Sequence, residues 1–346
     1  MIARFKKYVL HFKRPVRTSR GEYCERPVWY FFLEENSITG IGECAPMAGL
    51  SSEKPEQVEQ LLKEICLRPE FFIGQPELTR KISSVHVALE MAWHDLRNGG
   101  RQQLFSSPFS EGREGIPVNG LIWMGDAGFM QKQAGENLAA GFRCIKLKIG
   151  GIDFEQELEI LKSIRRKYDG RQIMLRIDAN GAFRPEEALE KLNRLAPLQV
   201  HSIEQPIATG QWQEMARLCI ESPIPVALDE ELIGKYTAEE KANLLDTIRP
   251  QYLVLKPSLH GGFSACSEWI ELAQSRSVSW WVTSYLESNV GLNAIAQWAS
   301  SKNITGFQGL GTGSLFGNNI ASPLEIRGEE LWVNPEKTFI FPQHFL

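Results

Sequence analysis

Apolar and polar positions change their period along the chain. Over residues 1 to about 45 they alternate, in Val9-Leu10-His11-Phe12, Val28-Trp29-Tyr30-Phe31-Phe32-Leu33 and Ile38-Thr39-Gly40-Ile41-Gly42-Glu43. A period of two marks strands with one buried face, and Glu34-Glu35-Asn36-Ser37 supplies a turn, so three antiparallel strands are predicted. Arg17 to Glu22 and Ala45 to Leu50 are expected to be loops. The spacing then becomes helical. One helix is predicted near residues 54 to 66, behind a capping pattern that begins at Ser52, and another runs from Val85 to Leu96 and is stopped by Gly99-Gly100. The polar stretch Ser106 to Gly112 is the best domain boundary.

Beyond it, short apolar runs alternate with helical patterns. Ile116 to Ile122 and Arg143 to Gly150 read as the first two strands, and Val278 to Ser284 and Gly306 to Thr312 as the last two. Helices are predicted through about residue 140 and over 153–167, 185–195, 211–219, 238–246, 263–276 and 290–300. Eight strands alternating with helices predict an α/β fold, a (β/α)8-type barrel under an N-terminal α+β capping domain. The expected boundaries are 1–110 for the cap, 111–320 for the barrel and 321–346 for a segment returning to the cap. Leu324 to Arg327 and Leu331 to Val333 are expected as strands of that return.

Charged residues close the middle runs. Lys148 ends the second strand, Asp178 ends Ile173 to Ile177, Glu204 ends Val200 to Ile203, Asp229 ends Ile224 to Leu228, and Lys256 ends Tyr252 to Leu255. The steps from Lys148 are 30, 26, 25 and 27 residues, the length of one strand, one crossover helix and two loops. Each unit thus delivers one ionisable group to the mouth where parallel strands end. Three carboxylates in register repel unless a cation lies between them, and an all-oxygen set suits Mg2+, with Mn2+ as a substitute. A single such carboxylate would more often cap a helix or pair with an arginine such as Arg176.

Lys146 and Lys148 share one face of their strand, and paired ammoniums in a core predict a lowered pKa. Lys148 and Lys256 fall on opposite sides of the mouth, on strands two and six. A carboxylate substrate between them would have its α-carbon flanked by two bases, an arrangement for removing the proton next to a carboxylate.

Composition narrows the partners. The net charge is −4 and the pI about 6.0, with no basic block, so nucleic acid and membrane surfaces are not expected partners. Six cysteines are scattered without a CxxC pair, no 18-residue apolar run is present, and from the first residues no signal peptide is expected. The expectation is a cytoplasmic enzyme acting on a small carboxylate, as a monomer or homo-oligomer.

Lys146-Leu147-Lys148, Asp178-Ala179-Asn180, Glu204-Gln205-Pro206, Leu228-Asp229-Glu230 and Lys256-Pro257-Ser258 together resemble the enolase superfamily, in its muconate-lactonizing-enzyme subgroup. The resemblance covers about residues 1 to 335. It implies Mg2+ on Asp178, Glu204 and Asp229, Lys148 and Lys256 as the acid/base pair, and a cap whose two early loops close the site. Leu175 to Gly181, Ser284-Tyr285-Leu286-Glu287-Ser288 and Gln308 to Thr312 are most similar to members that dehydrate 2-succinyl-6-hydroxy-2,4-cyclohexadiene-1-carboxylate in menaquinone biosynthesis. On that likeness Lys146, Arg176, Asn180, Ser284, Gly309, Gly311 and Thr312 are expected to contact substrate. The dipeptide epimerases of the family carry Asp-x-Asp on the eighth strand, where this chain has Gly309-Leu310-Gly311. The resemblance therefore argues against a dipeptide and leaves racemisation of N-succinylamino acids as the alternative. His201 and His260, with no second histidine at metal spacing, read as structural, and Trp280-Trp281 as barrel filling. A phosphate cradle in Gly309 to Gly313 is less expected than a carboxylate-bearing tail or close packing.

Overall fold

The structure is a computed structural model and describes residues 1–18 and 21–345. The N-terminal alternation forms a three-stranded antiparallel sheet, β1 (Ile2–Thr18), β2 (Gly21–Glu35) and β3 (Ile38–Cys44), in that order. Asn36 and Ser37 turn between β2 and β3 with φ of 49° and 64°, the positive pair that lets a two-residue turn follow the twist of its strands. The expected loop from Arg17 to Glu22 is instead the end of a hairpin: Arg17 pairs with Glu22 and Thr18 with Gly21, while Ser19 and Arg20 lie outside the described residues.

Helices α1 (Pro55–Leu67), α2 (Pro69–Gly74) and α3 (Ser83–Arg97) cover one face of this sheet. The α1 cap is Lys54 with Pro55 behind it, rather than the Ser52 pattern. Packing of β3 on α3 depends on two glycines, since a Cβ at Gly42 would lie 2.0 Å from the Ala88 carbonyl oxygen and one at Gly40 2.1 Å from that of Ala92. Trp29, Phe31, Leu33, Leu62, Val85, Ala88 and Ala92 form the core between the layers.

The second unit alternates strands and helices: β4 (Ile116–Pro117), β5 (Gly120–Ile122), α4 (Ala127–Ala139), β6 (Cys144–Lys148), α5 (Phe154–Arg165), β7 (Met174–Asp178), α6 (Pro185–Leu195), β8 (Val200–Glu204), α7 (Trp212–Glu221), β9 (Val226–Leu228), α8 (Ala238–Ile248), β10 (Tyr252–Leu255), α9 (Gly262–Gln274), β11 (Ser279–Val282) and α10 (Asn289–Ser300). From β5 to β11 the strands lie side by side and parallel, in chain order. The eighth position is not a full strand. Residues 308 and 309 make single parallel bridges, Gln308 to Val118 and Gly309 to Thr283, and these close the barrel.

The expected first strand, Ile116 to Ile122, is divided between two partners, and this corrects the placement of the C-terminal strands. β12 (Leu324–Arg327) and β13 (Glu330–Val333) form a hairpin that pairs with β4, not with the N-terminal sheet. The chain on either side of the hairpin does reach the cap. Phe316 bridges Phe12, Asn318 accepts from the His11 backbone and donates to the Val9 carbonyl, and Phe345 packs against Tyr8 and Tyr30.

Side chains facing the helices from β6 to β11 are apolar, among them Ile145, Leu147, Leu175, Ile177, Ile203, Leu228, Leu253, Leu255 and Val282. Those facing inward include Lys146, Arg176, Tyr252, Val254 and Trp281, so the barrel interior is polar at the top and aromatic beneath. Among the described residues no helix is long and apolar enough to cross a membrane.

Candidate active site

Parallel register brings the strand-end groups together. Lys148 stands opposite Asp178, and Asp178 opposite Glu204, while Asp229 and Lys256 each follow the last residue of their strand, β9 and β10. Each of these side chains is buried or nearly so. Lys146 Nζ lies 2.6 Å from Glu204 Oε2 and 2.9 Å from Asp178 Oδ2. Lys148 Nζ donates to Asp178 Oδ2 at 3.0 Å and to Asn180 Oδ1 at 2.9 Å. Lys256 Nζ is bonded to Asp229 Oδ2. Asn180 in turn donates its amide to Glu230 Oε1 at 3.0 Å.

The expectation of a lowered pKa for the paired lysines is overturned for Lys146, and Lys256 is raised as well. Burial acts in that direction on both. For Lys146 the carboxylates of Asp178 and Glu204 outweigh it, and for Lys256 those of Asp229, Glu204 and Glu230 do, so both are raised. The carboxyls divide. Burial alone would raise Asp178, but the three surrounding ammoniums hold it far below its ordinary range. Asp229 is also lowered, burial being outweighed by Lys256. Glu204 is pushed up to about 8 by burial and by Asp178, and Glu230 to about 7 by burial and by Asp229.

Among the described residues no three acids or histidines stand close enough to form a ready-made metal cage, because each strand-end carboxylate is drawn toward a lysine. The donor set nevertheless fits a hard divalent cation. Glu204 Oε1, Asp229 Oδ1 and Glu230 Oε2 are buried without a hydrogen-bond partner, and unsatisfied buried carboxylate oxygens are costly unless something positive meets them. Four carboxyls share this pocket with three ammoniums, so the cluster has room for added positive charge.

A cavity of about 610 Å³ opens above the cluster. Lys146, Lys148, Asn180, Lys256, Ser284, Gly309, Gly311 and Thr312, all expected at the site, line it. Arg176 does not. It lies beneath, its guanidinium 4.1 Å above the Trp281 ring and bonded to the Phe307 carbonyl, where it braces the strand that closes the barrel. Asp178, Glu204 and Asp229 do not line the cavity; they are buried behind Lys146, Lys148 and Lys256, to which they are bonded. At the eighth strand Ser284 and Thr312 hydroxyls are bonded at 2.6 Å, and a Cβ on Gly309 would meet Thr283 Oγ1 at 2.5 Å. Close packing thus accounts for Gly309, whereas Gly311 borders the cavity with only ordinary contacts.

Several lining residues carry no mark in the sequence that would single them out. Glu230 is an exception, legible as the direct neighbour of Asp229. Met47 and Leu50 come from the expected cap loop, Tyr285 and Leu286 from the segment after Ser284 that carries the family likeness, and Asn119 and Trp123 from strand ends without a charge to mark them. Asn180 and Gln205, just past two of the acids, hold φ of 44° and 41°, and such left-handed backbone at non-glycine residues concentrates at working sites. The hairpin tip borders a second cavity on the other side of Asn180 and Glu230, through Arg17, Gly21 and Glu22. His201 sits low in the barrel, against Tyr252 and Ser202, away from the cluster.

Comparison with known proteins bears directly on this arrangement. Residues 130–334 match the family model described as Enolase C-terminal domain-like. The chain is 44% identical to an o-succinylbenzoate synthase of Desulfotalea psychrophila, over 95% of this chain and 98% of that one. It is 25% identical to an N-succinylamino acid racemase of an Amycolatopsis species, over 84% of this chain and 80% of that one. The crystal structure of MenC from Desulfotalea psychrophila superposes with a TM-score of 0.85 at 42% identity, covering 96% of this chain and 99% of that one.

Proposed function

The chain belongs to the enolase superfamily, and from that premise we propose that it is an o-succinylbenzoate synthase. The reaction is the Mg2+-dependent syn-dehydration of 2-succinyl-6-hydroxy-2,4-cyclohexadiene-1-carboxylate. The observation that carries the reading is that Lys148 and Lys256 open into one cavity, above three strand-end carboxylates. Asp178, Glu204 and Asp229 are the residues that would hold the cation. When bound, a divalent cation supplies electrostatic stabilisation for negative charge on a substrate carboxylate.

The chain's own groups account for the rest. Lys148, once its ammonium has given up a proton, takes the proton from the carbon bearing the carboxylate, and the C–H electrons pass into an enediolate. The C–O bond to the ring hydroxyl then breaks as that charge returns to the ring. The proton on Lys148 leaves with the hydroxyl as water, and the ring becomes aromatic. Lys256 remains an ammonium throughout and steadies the enediolate from the opposite side. Asn180, bonded to Lys148 at 2.9 Å, fixes where that amine points. Charge supports this assignment. With all four carboxyls ionised, as a bound cation would favour, they and the three ammoniums leave the cluster one charge negative, and a divalent cation with one substrate carboxylate makes it neutral. On the eighth strand, Gly309-Leu310-Gly311 offers no countercharge for an ammonium, which favours a substrate with an uncharged or anionic tail.

Incubating the purified protein with Mg2+ and the cyclohexadiene, and following aromatisation by ultraviolet absorbance, tests the proposal. Turnover that stops when the cation is chelated supports it, and absence of turnover with a chemically verified substrate removes it. The 25% likeness to an N-succinylamino acid racemase favours one second reading, proton exchange at the α-carbon of N-succinylamino acids. Solvent deuterium entering such a substrate in D2O would establish that activity, and Lys256 would then move a proton as well.

A further inference from the structure

The loop after β10 folds back on its own lysine. Leu259 and His260 backbone N–H groups both donate to the Lys256 carbonyl at 2.9 Å, and the Lys256 N–H donates to His260 Nδ1 at 3.1 Å. That second bond fixes the tautomer. A ring nitrogen that accepts a hydrogen bond carries no proton, so in the neutral imidazole the proton resides on Nε2. With Nδ1 accepting from the backbone, Nε2 carries its proton whatever the charge of the ring. Nε2 is itself buried without a partner, and it lies 3.9 Å from Asp229 Oδ1. Asp229 Oδ1 is likewise buried without a partner, its other oxygen being bonded to Lys256. Two orphaned buried atoms, a donor and an acceptor, thus lie about 1 Å beyond bonding distance of one another.

We infer that His260 is a positioning residue for Asp229: its Nε2–H governs the rotation of that carboxylate and so the affinity of the acid set for a divalent cation. The inference rests on the proposed role of Asp229 as a cation ligand. Its physical basis is that a carboxylate between two donors has its orientation fixed by both. Lys256 supplies the first donor and His260 is the second in reach. Partners that orient a metal-binding side chain in this way commonly contribute 10- to 100-fold in metal affinity. The backbone bond from Lys256 to Nδ1 adds a coupling, since the same ring that steers the ligand also fixes the strand end carrying the opposed lysine.

Two near-isosteric variants separate these contributions. In His260→Gln the side-chain amide places an N–H near the Nε2 position, while in His260→Asn the amide oxygen replaces the Nδ1 acceptor and nothing reaches Asp229. Titration of the full chain with Mg2+ in a calorimeter, without substrate, gives the affinity directly, and circular dichroism verifies the fold of each variant. The expected result is a loss of about 10- to 100-fold in Mg2+ affinity for His260→Asn and a smaller loss for His260→Gln. Unchanged affinity in a folded His260→Asn overturns the inference, as does recovery by Asn and not by Gln, which would make the ring only a brace for the Lys256 backbone. Absence of Mg2+ binding by the unsubstituted chain is a different failure, and it removes the assignment of Asp229 as a ligand.

Discussion

Lys148 and Lys256 have similar surroundings in chemistry but not in geometry. Lys148 divides its hydrogen bonds between Asp178 and Asn180, whereas Lys256 is locked to Asp229, with Glu204 and Glu230 also holding its charge. A base must release its proton, and a lysine held that firmly as an ammonium serves better as a fixed positive charge. Lys148→Ala is accordingly expected to lower turnover by about 10²- to 10⁴-fold and to abolish α-carbon exchange in D2O. Lys256→Ala should also lower turnover while leaving exchange detectable. Quench-flow or NMR measurement of both rates checks the pair, and equal loss of exchange in the two variants would contradict the one-base account.

At the scale of elements, the cap and barrel are joined through buried carboxylates set against helix N-termini. Glu43, at the end of β3, accepts from the Ser288 and Gly291 backbone N–H groups at 2.8 Å, where α10 begins. Glu90 of α3 does the same for α9, accepting from the Phe263 and Ser264 N–H groups. Both helices follow strands that border the cavity, so the cap anchors to elements that carry the site. Burial pushes Glu43 up to about 7 from its ordinary value of 4.5, against the hydrogen bonds from Ser288. The folded state therefore binds more protons than the unfolded state between those values, and stability falls as pH rises through that window. Glu43→Gln removes the titration. Each tenfold change in proton affinity is worth about 1.4 kcal/mol, so from pH 4 to pH 8 the variant should gain roughly 3 kcal/mol on the parent. Urea unfolding at the two pH values measures this, and a constant difference would show that Glu43 stays ionised.

For the whole molecule, the proposed cation and substrate site is built from strand ends that meet only in the folded chain, so ligand binding there is linked to global stability. A ligand that binds the folded state alone stabilises it by about 2.7 kcal/mol at 100 times its Kd. Mg2+ is thus expected to raise the thermal midpoint by several degrees, EDTA to reverse the rise, and Asp178→Asn to abolish it. Differential scanning calorimetry across a Mg2+ series is the measurement, and a midpoint indifferent to Mg2+ in the parent would count against the ligand set.

Much of this was legible in the sequence. The charged residues that close successive apolar runs at steps of 25 to 30 residues announced parallel strands with one mouth, and the alternation before residue 45 announced a separate sheet. Period and spacing are local properties, and a side chain at a strand end has little choice of direction. What the sequence could not carry was the outcome of competition between groups brought together from far apart. Whether burial or neighbouring charge decides the state of Lys146 and Lys256 depends on carboxylates supplied by other strands. The split of the first barrel strand, and the pairing of its start with the C-terminal hairpin, join segments more than 200 residues apart. The fate of Arg176, taken from the site to brace the strand beneath it, depended on Trp281 and Phe307, more than 100 residues away. His260 shows the same division most plainly: alone in the sequence it is an isolated histidine, and only the fold brings its one protonated nitrogen near a carboxylate.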